Sequence, residues 1–167
     1  YFIYFKPSLM KYTFTFLLLA FLSFFPLVAQ QSFFPQTLID DSFGVASPKE
    51  TKLADADADG DLDIFLLSSS GTNLVWMPNL DGNGNYGVRN EIPVANGAVS
   101  FDVGDIDGDG HVDILRGNST ADVIRWNSND GSGNFGASNL VDSDFDNPRT
   151  LLLSDIDGDG DLDIFAR

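Results

Sequence analysis

The sequence predicts an all-β protein, part of a β-propeller made of four-stranded blades, and three observations lead to that fold class. An acidic ten-residue stretch starts at residues 55, 105 and 155, a fixed period of 50 residues. Each copy is followed by apolar strand formers, such as Ile64-Phe65-Leu66-Leu67 and Ile114-Leu115. Between the copies lie further short apolar runs separated by turns rich in Gly, Asn and Asp. A period of this size marks a propeller or a solenoid, and four short strands in about 50 residues is the arithmetic of one propeller blade.

In chain order, the first segment is a leader. The sequence starts at Tyr1 without a Met, and Met10-Lys11-Tyr12 reads as the more natural beginning. An apolar block from 14 to 29, broken only by Thr15, Ser23 and Pro26, follows Lys6 and Lys11 and gives way to Gln30-Gln31-Ser32. A basic start, a short apolar block and a small residue at its end describe a secretory signal peptide cleaved near Ala29, so residues 1–29 are assigned to it. A retained anchor would need about 20 apolar residues, and a buried strand or helix is the third reading. Removal of the leader leaves no expected membrane insertion.

Residues 30–48 are expected to supply the terminal strand of an incomplete blade, because Phe33-Phe34-Pro35-Gln36-Thr37-Leu38-Ile39-Asp40 aligns with Phe135-Gly136-Ala137-Ser138-Asn139-Leu140-Val141-Asp142. Repeat 1 covers residues 49–98, with a strand from about Lys52 into the acidic stretch and further strands over 62–67, 73–78 and 88–94. Repeat 2 covers 99–148, with strands over 101–103, 112–116, 123–127 and 137–141. Repeat 3, residues 149–167, contains the first two strands only, which reads as a fragment of a longer array because propellers close with about four to eight blades. The turns Asp81-Gly82-Asn83-Gly84-Asn85-Tyr86-Gly87 and Asp130-Gly131-Ser132-Gly133-Asn134-Phe135-Gly136 suit tight hairpins. They are offset by 49 rather than 50 residues because Leu80 has no counterpart. Without a following Lys-Ser/Thr and helix, they do not make a phosphate loop.

The chemistry is concentrated in the repeated stretch, D-x-D-x-D-G-x-x-D. Its copies carry Asp55, Asp57, Asp59, Asp61 and Asp63; Asp105, Asp107, Asp109, His111 and Asp113; and Asp155, Asp157, Asp159, Asp161 and Asp163. Carboxylates at positions 1, 3, 5 and 9 repel one another unless a hard cation sits between them, and calcium takes six to eight oxygens in irregular geometry. Gly60, Gly110 and Gly160 hold position 6, where the chain turns sharply. Position 7 is Asp61, His111 or Asp161, and in such loops it coordinates through its backbone carbonyl, so the side chain there is free to vary. An EF-hand would need a Glu at position 12, where this chain has Leu66, Arg116 and Ala166. One Ca²⁺ per repeat is expected, three in this chain, in loops between strands. The alternative is a solvated acidic surface with no metal.

With the Gly-Asn-Tyr-Gly and Gly-Asn-Phe-Gly turns, these loops resemble the FG-GAP/VCBS repeat family over roughly residues 33–167. The resemblance implies calcium-binding blades of the integrin-α type, found also in many secreted bacterial proteins. With the signal peptide read over residues 1–29, a secreted or cell-surface location is expected.

Composition limits the function. The net charge is −16, and the three loops hold 14 of the 25 acidic residues, so three Ca²⁺ would bring it to −10. Such a surface argues against nucleic acid and anionic membranes as partners. There is no Cys, which excludes disulfides and a lipid-modified Cys, so metal would have to do the stapling.

Trp76 and Trp126 occupy equivalent third-strand positions, with Leu74 and Ile124 on the same faces, for packing between blades or for stacking against a sugar. Arg116 and Arg125 are expected to be exposed, as solvent-facing pairs or as part of a partner site. With one His and no Cys, His-dependent and thiol nucleophiles are nearly excluded; paired carboxylates could serve glycoside cleavage, but the clustered ones read as metal ligands, and Asp122, Glu91 and Asp102 suggest no catalytic pair. Three functions compete. The first is a non-catalytic extracellular module that binds protein or glycan in adhesion. The second is a structural spacer of a larger secreted protein. The third is an accessory module of a glycan-degrading enzyme whose catalytic domain lies outside this chain.

Overall fold

A computed structural model describes residues 47–70, 73–93 and 97–167. The signal-peptide reading of 1–29 and the strand expected at 34–40 lie outside the described residues. Those described are all-β, with ten strands, no helix and three antiparallel sheets. The first sheet has the order β1 (Pro48–Ala54), β2 (Asp63–Ser68), β3 (Asn73–Met77), β4 (Asn90–Pro93). The second repeats it with β5 (Ala98–Gly104), β6 (Asp113–Asn118), β7 (Val123–Asn129) and β8 (Phe135–Asp142). The third pairs β9 (Leu151–Ser154) with β10 (Asp163–Ala166). Each four-stranded meander is one blade of a partial β-propeller.

The two complete blades agree in detail. The β1/β2 register slips between Pro48 and Glu50, and the β5/β6 register slips between Ala98 and Ser100, 50 residues on. They differ at the outer hairpin for a local reason. In the second blade β7 runs through to Asn129, which pairs with Phe135. In the first, Pro78 lacks the N–H that a ladder needs, so β3 stops at Met77 and only an isolated Asn79–Tyr86 bridge remains of the same pairing. The expected strand to residue 78 is shortened accordingly. The fourth strand also begins at Asn90 rather than at Val88, which is 82% exposed.

Alternation sends apolar residues of the two complete sheets to both faces, and the second blade has neighbours on two sides. Phe65, Leu67, Leu74, Trp76 and Ile92 of the first blade pack with Ala98, Phe101 and Ile114 of the second into one cluster. Trp76 is therefore inter-blade packing, only 6% exposed, and offers no open stacking face. On its other face the first blade buries Ile64, Leu66, Val75 and Met77. The second blade's far face, Leu115 and Ile124 with Trp126 alongside, packs with Leu151, Leu153, Ile164 and Ala166 of the third sheet. Both second strands, β2 and β6, are consequently buried along their whole length.

The expectation that Arg116 is exposed is corrected here. Arg116 lies on β6 and is only 5% exposed, donating from Nε to Asn127 Oδ1 at 3.2 Å and from Nη2 to Ser138 Oγ at 2.8 Å. Period-2 reasoning gives a strand one wet face, and a strand covered on both sides has none. Burial, and secondarily Arg125 opposite it on β7, lowers its pKa.

The first strands also join blade to blade. Phe101 N donates to Glu50 Oε2 at 3.3 Å, and Leu153 N donates to Asp102 Oδ2 at 2.8 Å, a carboxylate of one blade serving an amide of the next in each case. Lys52 Nζ lies 2.9 Å from the buried Asp102 Oδ1, and Lys49 donates to the Val99 carbonyl.

Candidate metal centre

Each acidic loop connects the first and second strands of its sheet. Ala54 pairs with Asp63, Gly104 with Asp113 and Ser154 with Asp163, so position 9 is the first residue of the outgoing strand and the loop closes on itself. The loop conformation uses positive φ at position 6, with Gly60, Gly110 and Gly160 at 94°, 89° and 99°. Position 4 is also left-handed. Gly108 and Gly158 fill it in two loops, but Ala58 does so in the first at φ 60°, a strained conformation for a residue with a Cβ.

The aspartates have distinct jobs. Position 1 organises the turn: Asp55 accepts from the amides of Asp59 and Gly60, Asp105 from Gly108, Asp109 and Gly110, and Asp155 from Gly158 and Gly160. Position 5 caps the amide of position 7, as Asp59, Asp109 and Asp159 accept from Asp61, His111 and Asp161 at 2.8–3.0 Å. Position 9 ties the loop to the sheet. Asp63 Oδ2 accepts from Ala56 N at 2.9 Å and Oδ1 from Asn79 N at 2.7 Å. Asp113 repeats this with Ile106 N and Asn129 N, both at 2.9 Å. Both are 0% exposed, whereas Asp163 is exposed and accepts from Ile156 N.

The fold brings together positions 1, 3 and 9. Asp55, Asp57 and Asp63; Asp105, Asp107 and Asp113; and Asp155, Asp157 and Asp163 each place three carboxylate oxygens within 4.8 Å of one another. Position 5 stays outside these triads. The side chain of position 7 packs instead on the outer hairpin turn: a Cβ added at Gly82 would stand 2.4 Å from Asp61 Oδ1, and one at Gly131 would stand 2.4 Å from His111 Cε1. Sequence reasoning missed this contact and the Asn79 and Asn129 anchors. The only visible signal was an Asn at the same distance beyond position 9 in both repeats.

Burial pushes the carboxyls of Asp57, Asp63 and Asp113 up, and neighbouring aspartates add to the rise. Among the described residues, no salt bridge reaches a loop aspartate; the three are Lys52 with Glu50 and Asp102, and Arg89 with Glu91. Asp57 Oδ1 is buried and has no hydrogen-bond partner. Convergent carboxylates, an all-oxygen donor set and an orphaned acceptor fit a hard divalent cation. Each triad would hold it, and the cation's charge would replace the repulsion with attraction.

Antiparallel blades joined face to face, each led by an acidic loop between its first two strands, define a propeller-type repeat protein. A family model described as FG-GAP-like repeat matches residues 55–116 and again 105–166, so the middle loop closes one match and opens the other. The two matches together span about two thirds of the sequence, and the chain belongs to the FG-GAP-like repeat family. No curated protein and no solved structure matches it.

Proposed function

We propose that this chain is a calcium-stabilised repeat module of an exported protein, one that presents its blades to a protein or glycan partner and performs no catalysis itself. The observation that carries the calcium part is the carboxylate triad, present in three in-phase loops and including the orphaned oxygen of Asp57. Export is supported by the leader sequence over 1–29. The three acidic side chains outside the loops weighed as catalytic candidates have partners: Asp102 holds Lys52 and Leu153 N, Glu91 pairs with Arg89, and Asp122 accepts from Asn147 N. This supports a binding role over a catalytic one. A spacer role is favoured by one observation, the investment of buried charge in blade-to-blade contacts at Glu50 and Asp102.

The test is thermal unfolding in millimolar Ca²⁺ and in chelator, for the chain and for an Asp57→Ala, Asp107→Ala, Asp157→Ala variant. At free calcium a hundredfold above Kd, each site adds about 2.7 kcal/mol, so the midpoint of the unaltered chain rises by many degrees and that of the variant does not. A cooperative melt indifferent to calcium removes the metal from the proposal. For the partner, Arg125→Ala, a half-buried cation on β7, should weaken capture on a glycan or protein array while leaving the melt unchanged. Unchanged capture across a responsive array favours the spacer reading.

A further inference from the structure

Loop 1 is held from outside its own blade. Ala56, at loop position 2, is 1% exposed and sits in the inter-blade cluster. Its N–H donates to Asp63 Oδ2 at 2.9 Å within the loop. Its carbonyl accepts twice from the second repeat, from Asn129 Nδ2 at 2.7 Å and from Gly133 N at 3.1 Å. Three hydrogen bonds therefore fix the residue that immediately precedes Asp57, the triad member with the orphaned oxygen.

Both donors are themselves immobilised. Asn129 is 2% exposed; its N–H donates to Asp113 Oδ1 at 2.9 Å, its Nδ2 also reaches the Val112 carbonyl at 3.0 Å, and its Oδ1 accepts from Gly131 N at 3.3 Å. Gly133 lies on Trp76 so closely that an added Cβ would stand 2.1 Å from Cζ2. Asn129 thus touches two loops at once, holding Asp113 of loop 2 through its backbone and Ala56 of loop 1 through its side chain. Asn79 is its counterpart in the first blade and directs its Nδ2 to Leu62 O at 3.3 Å, within its own blade.

We propose that Asn129 and Gly133 are positioning residues for calcium at loop 1, so that the site of the first repeat is completed by the second and Asn129 couples the two loops. The inference rests on the calcium reading of the loops. Groups that orient ligands without touching the metal typically change affinity by about 10–100-fold when removed. Coupling is reciprocal, so calcium in loop 1 strengthens the docking of the second blade by the factor that docking adds to calcium binding.

The experiment titrates Ca²⁺ into the unaltered chain and into Asn129→Ala, following the amide resonances of Gly60, Gly110 and Gly160. Gly60 and Gly160 donate to the position-1 aspartates of loops 1 and 3. In Asn129→Ala the Gly60 midpoint is expected to move to about 10–100-fold higher calcium, with Gly110 moving too and Gly160 staying in place. A Gly60 midpoint unchanged in the folded variant overturns the proposal. A second measurement needs no change at Asn129: hydrogen exchange at Gly133 N–H should slow on adding Ca²⁺ by more than at the amides of β7, and should not slow in Asp57→Ala. Equal exchange with and without Ca²⁺ overturns the proposal even if Asn129→Ala does not fold. If none of the three glycines responds in the unaltered chain, the calcium reading fails and takes this inference with it. If all respond and the midpoints match between the two proteins, the calcium reading stands and this inference alone is lost.

Discussion

Aspartates that look alike in the sequence differ in what they do. Asp63 and Asp113 have no exposure and satisfy two backbone amides each, so they hold the loop to the sheet whether or not a cation is bound. Asp57 makes no such tie to the sheet; its Oδ1 is buried without a partner, and burial first and the charges of Asp59 and Asp55 second raise its carboxyl. In chelator, Asp63→Ala should cost about 2–5 kcal/mol, because it leaves the Ala56 and Asn79 amides buried and unpaired. Asp57→Ala in chelator should be neutral or slightly stabilising, and its cost should appear only when calcium is added. Denaturant unfolding in both buffers checks this, and equal losses for the two variants in chelator would refute the division of labour. The motif gave the carboxylates at positions 1, 3, 5 and 9 the same weight. What separates them is the amide each oxygen meets, and those amides belong to residues up to 16 positions away.

At the scale of strands, the contact between β1 and β5 carries its own pH dependence. Burial raises the Glu50 carboxyl above the ordinary carboxylate range, outweighing the amide of Phe101 and the nearby Lys52 and Lys49. A raised pKa means that the folded chain holds this proton more tightly than the unfolded chain does. The resulting stability is fully present below the unfolded value of about 4.3 and is lost as pH rises through the folded value. Glu50→Gln keeps an oxygen for the Phe101 amide and has no charge to desolvate. The stability of the unaltered chain relative to this variant should therefore decline as pH rises across that window and then level off. A difference that is flat with pH, or that rises, would show that Glu50 is not desolvated in the folded chain.

The order of strands, the loops at strand junctions and the pairing of Leu74 with Trp76 were legible because period 2 and period 50 are both local signals. The burial of Arg116 and the anchoring role of Asn129 were not, because both depend on which neighbour covers a strand. Likewise Pro78 marks the end of β3 only once the ladder it interrupts is known.

At the scale of the molecule, the largest core is shared between blades. The cluster around Phe65 and Trp76 draws five residues from the first sheet and three from the second, with Ala56 of the loop between them. Stability is then mostly a matter of nearest-neighbour interfaces, as in other repeat arrays. Trp76→Ala should cost about 3–5 kcal/mol, and the loss should register on the remaining Trp126 in the second blade, whose fluorescence transition shifts together with the first blade's unfolding. A Trp126 transition that stays where it was would mean the blades unfold independently.

The bonds that Ala56 accepts from Asn129 and Gly133 also set a schedule. The partners in the first of these are 73 residues apart in sequence. At synthesis rates of about 5–20 residues per second, the ribosome delivers Asn129 roughly 4–15 s after Ala56. During that interval the first blade has its own strands but lacks the neighbour that seals Phe65 and Trp76. The most recently made blade of the nascent chain is therefore the one with an uncovered apolar face, and each newly made blade shelters the one made before it.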